Sequence, residues 1–132
     1  MRVFLDTNVW LSATLFPGLC AELVTECAEH GWLITSKLVQ AEAHEVLIRK
    51  FSQRSDSPRL FDAVWREASC TDDVIEPSDD ADARLVAAAA SAGSDLFVTG
   101  DRRVLEWKTS DSMHIVTPRQ AWLRLFPSSE SH

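Results

Sequence analysis

Short apolar runs alternate with amphipathic stretches along this chain, and the alternation predicts its architecture. Arg2-Val3-Phe4-Leu5 is a β-prone run halted by Asp6-Thr7-Asn8, whose side chains favour turns, so a first strand followed by a loop is expected. From Cys20 to His30, Leu23, Val24 and Cys27 recur at helical spacing, and Gly31 stops that helix before a second strand at Trp32-Leu33-Ile34. Ser36 stands where a cap would open a helix running to Phe51, with Val39, Ala43, Val46 and Leu47 on one stripe. The polar stretch Ser52 to Pro58 breaks it. Leu60, Val64 and Ala68 predict a further amphipathic helix, and Val74-Ile75 a short strand ending at Pro77. The Ala-rich run Asp79 to Ser91 is strongly helix-prone and closed by Gly93, and Leu96-Phe97-Val98 forms a strand that ends in Thr99-Gly100-Asp101. A last strand, His114-Ile115-Val116, leads to Thr117-Pro118, a cap and first-turn pair for a terminal helix through Phe126.

Strands alternating with helices predict an α/β fold with a parallel sheet covered on both faces, and in such sheets sites form beyond the carboxyl ends of the strands. A chain of 132 residues, 45% of them hydrophobic, fits one domain, taken as residues 1–126 with a frayed tail at 127–132. Its apolar runs fall short of the roughly 20 residues a membrane span needs, and Asp6 interrupts the N-terminus before any signal-like stretch. A soluble, cytoplasmic protein is expected. Cys20, Cys27 and Cys70 show no CxxC spacing, and His30, His44, His114 and His132 no paired-ligand pattern, so any metal must lean on oxygen ligands.

A net charge of -7 argues against binding nucleic acid by bulk attraction. The objection weakens locally, because Asp72, Asp73, Glu76, Asp79, Asp80 and Asp82 crowd into one basic-free stretch. Arg49, Lys50, Arg54, Arg59 and Arg66 gather elsewhere, and Arg102, Arg103 and Lys108 follow Asp101. Arg49, Lys50, Arg102 and Arg103 are the candidate RNA contacts.

The acidic residues fall where the sheet would place a site. Asp6 closes the first strand, Glu42 lies in the helix after the second, Asp82 opens the Ala-rich helix, and Asp101 follows the fourth strand. Carboxylates brought together repel one another unless a hard cation such as Mg²⁺ or Mn²⁺ neutralises them, and such a cation can polarise a phosphoryl group and generate hydroxide from water. Each residue also has a plain structural reading. Asp6 and Asp101 suit helix caps, Asp82 a helix first turn, Glu42 a solvated face, and Asn8 and Ser12 loop polar groups. The functional reading draws its weight from the set.

Val3-Phe4-Leu5-Asp6-Thr7-Asn8-Val9 followed by Ser12, together with Leu96-Phe97-Val98-Thr99-Gly100-Asp101, resembles a PIN domain. With residues 36–51 and Asp82-Ala83-Arg84-Leu85-Val86 the likeness spans nearly the whole chain, and it is similar to the VapC-like toxins of bacterial toxin-antitoxin modules. The resemblance implies a three-layer α/β/α sandwich, Mg²⁺ or Mn²⁺ dependence, and endoribonuclease activity restrained by an antitoxin protein. It also implies that Asp6, Glu42, Asp82 and Asp101 hold the cation while Asn8, Ser12 and Thr99 orient them.

Two rival readings lack their marks: an aspartyl phosphatase wants a second Asp where Asn8 stands, and a phospho-acceptor receiver domain wants adjacent acids before its acceptor and a late-strand Lys. A catalytically silent PIN-like module that binds RNA or a partner protein is the alternative from another class. Trp10, Leu11, Leu15 and Phe16 divide between core packing and an antitoxin docking surface, and a homodimer is a further expected partnership. On the third helix, Glu42 flanks the apolar stripe whereas Glu45 points away from it, so Glu42 is the expected ligand.

Overall fold

The computed structural model describes residues 1–74, 80–107 and 112–127. Five strands, β1 (Val3–Leu5), β2 (Leu33–Ser36), β3 (Ser69–Thr71), β4 (Leu96–Val98) and β5 (His114–Val116), form one all-parallel sheet in the order β3-β2-β1-β4-β5. Among the described residues seven helices accompany it: α1 (Thr7–Leu15), α2 (Leu19–Glu29), α3 (Lys37–Lys50), α4 (Ser57–Trp65), α5 (Ala81–Ser91), α6 (Arg102–Leu105) and α7 (Pro118–Leu125). The result is the α/β/α sandwich that the strand–helix alternation predicts.

The central strands are apolar because both faces are covered. Every residue of β1 and β4 is buried, and Phe4 stacks on Phe97 with ring centroids 5.6 Å apart. Removing either ring would cost about 3–5 kcal/mol, since close-packed neighbours relax only partly around the space. Val39, Ala43 and Leu47 bury the stripe of α3, while Val46 stays half-buried at its margin. Thr117 closes a full capping box with Gln120 at the start of α7.

Three local readings need correction. Helix α1 begins directly at Thr7, where the sequence pattern predicts a loop. Val9, Trp10, Leu11 and Leu15 are all buried, and a helix apolar around most of its circumference leaves no stripe for periodicity to detect. The outer strand is Ser69–Thr71 rather than Val74-Ile75: Val74 lies outside any strand, and Ile75 to Pro77 lie outside the described residues. An edge strand of Ser-Cys-Thr with its first two side chains exposed carries no apolar alternation. Finally, α4 anchors itself through Phe61, 1% exposed and edge-on to Trp10, while Leu60 is 45% exposed and Ala68 falls beyond the helix end.

Candidate functional site

Asp6 follows β1 in the N-cap position of α1, yet its side chain makes no capping hydrogen bond. Instead Oδ2 accepts a 2.6 Å bond from the Thr99 hydroxyl at the end of β4. The same hydroxyl accepts the Asp101 amide at 3.1 Å, so Thr99 ties two candidate acids together across one buried oxygen. Asp6 is only 4% exposed. Burial foremost, with the charges of Asp82 and Glu42 adding to it and the Thr99 hydroxyl and Thr7 backbone amide opposing, raises its pKa from 3.8 to about 6. A capping role does not explain such a carboxylate.

Glu42 enters from α3. Its Oε1 accepts a 2.7 Å bond from the Thr7 hydroxyl on α1, and burial chiefly, then repulsion from Asp82, raises its pKa against the Thr7 bond and the Arg84 charge. Glu45 points elsewhere, pairing with Arg49 at 3.2 Å on an exposed face. The helix phase read from the sequence therefore holds for both glutamates.

Asp82, in the first turn of α5, is the acid whose charge reaches both Asp6 and Glu42. Its own partner is Arg103 on α6, which places Nη2 2.8 Å from Asp82 Oδ2 and Nη1 2.8 Å from Asp80 Oδ2, with its guanidinium 4.9 Å from the Trp107 ring centre. The Arg103 bond holds the Asp80 carboxyl below its ordinary pKa. Asp80 also caps α5 through the amides of Asp82 and Ala83. Asp101 caps α6, accepting the Arg103 amide at 2.9 Å, so its structural reading holds for one oxygen.

Of the expected orienting side chains, only Thr99 hydrogen-bonds a candidate acid among the described residues; Asn8 is exposed and Ser12 half-buried on α1. The sequence pattern singles out neither Thr7 nor Asp80. Thr7 shares a turn-like tripeptide with Asp6 and Asn8, and its reach toward Glu42 depends on a helix that the pattern hides. Arg49 and Lys50 occupy the last turn of α3, about 10 Å along the axis from Glu42. Arg102 is exposed at the start of α6.

The family model described as the PIN domain matches residues 2–103 of this chain. The chain belongs to the PIN-domain family. The crystal structure of PAE2754 from Pyrobaculum aerophilum superposes with a TM-score of 0.70 over 95% of this chain and 89% of that one, at 19% identity, a likeness of fold. No curated protein matches the chain. PIN domains are generally nucleases and typically depend on divalent metals. Among the described residues, no three His, Cys, Asp or Glu side chains form a ready metal group. The charges of Asp82 and Glu42 bear on Asp6, and that of Asp82 on Glu42, and the chemistry of the three fits a hard cation: all oxygen donors, two of them desolvated and reluctant to ionise without a counter-charge.

Proposed function

We propose that this PIN domain is an endoribonuclease that hydrolyses RNA phosphodiester bonds with Mg²⁺ or Mn²⁺ held by Asp6, Glu42, Asp82 and Asp101. The observation that carries the reading is Asp6, a buried carboxylate that leaves the cap beside it unused and keeps neighbouring acids within repulsive range. Asp6 anchors the site from the central strand. Glu42 and Asp82 approach from α3 and α5, and Thr99 fixes the Asp6 oxygen it donates to. When bound, the cation neutralises this charge and polarises the scissile phosphate. Arg102 is positioned to meet a flanking phosphate from the exposed start of α6. The test is cleavage of structured and unstructured RNAs: activity requiring Mn²⁺ or Mg²⁺ and lost after EDTA treatment is expected, and cleavage that survives thorough chelation would reject the assignment.

The VapC-like toxin role, with an antitoxin as partner and a homodimer as assembly, belongs to the same proposal and rests on the sequence resemblance. Of the four apolar residues near the first site loop, Trp10, Leu11 and Leu15 belong to the core, and Phe16, 56% exposed, is open to a partner. Growth arrest on expression of the active enzyme alone is expected; harmless expression would undercut the toxin role and leave the nuclease standing. Arg103 favours a second reading. With Asp82 already paired to an arginine and no ready metal group among the described residues, a silent RNA- or protein-binding module would show RNA binding without cleavage at saturating Mn²⁺.

A further inference from the structure

Ser36 ends β2, is 0% exposed, and its Oγ has no hydrogen-bond partner. Buried hydroxyls are nearly always satisfied, so such an atom calls for a partner that arrives from outside the protein or for a local backbone group. The local group is the N-terminus of α3, for which Ser36 is the N-cap residue, and it does not use it: no side-chain cap bond forms. Asp73 serves that helix end instead, its Oδ1 accepting the Leu38 amide at 3.3 Å.

The sheet register shows where the hydroxyl stands. Phe4 pairs with Ile34 and with Phe97. Side chains alternate along a strand and paired residues of parallel strands share a face, so two residues on, Ser36, Asp6 and Thr99 lie in one row on one face. The Thr99 bond to Asp6 confirms the row on the β4 side. Ser36 occupies the equivalent place on the β2 side, one strand spacing of about 4.8 Å away. The other buried unpartnered hydroxyls stand elsewhere, Ser94 before β4 and Ser57 at the start of α4.

We propose that Ser36 is a positioning residue of the carboxylate site, its hydroxyl holding, beside Asp6, a water that arrives with the divalent cation. Thr99 and Ser36 then flank Asp6 as a pair, the first fixing the carboxylate and the second fixing what the carboxylate binds. The proposal rests on the metal-dependent reading above.

The experiment is Mn²⁺ titration by calorimetry of the wild-type chain, Ser36→Ala, Ser36→Cys and Asp6→Asn, with thermal unfolding of each in EDTA. Ser36→Cys keeps a side chain of similar size in case the smaller variant folds poorly. Both Ser36 variants are expected to bind Mn²⁺ about 10–100-fold more weakly than wild type, with metal-free melting temperatures equal to or above it. Unchanged Mn²⁺ affinity, or a lowered metal-free melting temperature with affinity intact, would overturn the proposal and return Ser36 to a structural role. Wild-type protein that binds no more Mn²⁺ than Asp6→Asn would overturn the metal reading itself and this proposal with it.

Discussion

Acidic residues meet their charge in two opposite ways at the carboxyl edge of this sheet. Asp6 and Glu42 are desolvated, each held by a neutral threonine hydroxyl, and each pushed toward its protonated form. Asp80 and Asp82, a helix away, are more exposed and share one guanidinium. Neutral donors fix an oxygen's position without offsetting its charge, whereas Arg103 offsets part of the charge of the two acids it bridges. The threonine-held side is thus poised to gain from an incoming cation, and the arginine-held side has far less to gain.

The difference is broken most directly by removing one charge from the threonine-held side. Asp6→Asn and Glu42→Gln are each expected to lower metal-dependent RNA cleavage by orders of magnitude while the protein stays folded, and Glu45→Gln to change it little. A cleavage assay across the three variants decides, and an inactive Glu45→Gln beside a normal Glu42→Gln would invert the assignment.

A smaller effect should appear in stability without any substrate. Folded Asp6 titrates at about 6 against an ordinary 3.8, so between those values the folded state binds more protons than the unfolded chain. Stability from this group is therefore present below the lower value and is lost as pH rises through the higher one, by on the order of 3 kcal/mol in all. Glu42, also raised, acts in the same direction. Chemical denaturation across that range in EDTA should show the decline, and Asp6→Asn or saturating Mn²⁺ should flatten it; an equal slope in the variant would mean that Asp6 is not the group.

Much of this candidate site is legible in the sequence because strand ends are. Leu96-Phe97-Val98 and Val3-Phe4-Leu5 announce buried parallel strands, so the acids that follow them, Asp6 and Asp101, fall at one edge of the sheet by pattern alone. Glu42 follows from helix phase. What resists reading depends on contacts between distant segments. Thr7 and Glu42 lie 35 residues apart, and their bond exists only because α1 starts without a loop. Arg103 reads as a phosphate contact because its partners Asp80 and Asp82, 23 and 21 residues earlier, belong to another helix. Ser36 reads as a cap since nothing local reveals that Asp73 takes that duty. The edge strand β3 has too little burial to pattern its sequence at all.

The smallest expected effect sharpens the comparison from its other side. Arg103 is 53% exposed along its side chain, and ion pairs at such exposure add little to folding because solvent screens them and ordering two side chains opposes them. Its charge nonetheless sits on Asp82, the acid felt by both Asp6 and Glu42, and a fixed positive group there opposes a second cation. Arg103→Gln should therefore leave the melting temperature in EDTA nearly unchanged while tightening Mn²⁺ binding several-fold. If Arg103 also serves RNA, affinity for RNA should fall in the same variant, and more at low salt than at high, since phosphate contacts weaken as salt rises. Mn²⁺ affinity that stays level or falls in Arg103→Gln would show that the arginine-held acids contribute nothing to the cation's site, leaving Asp6, Glu42 and Asp101 to hold it alone.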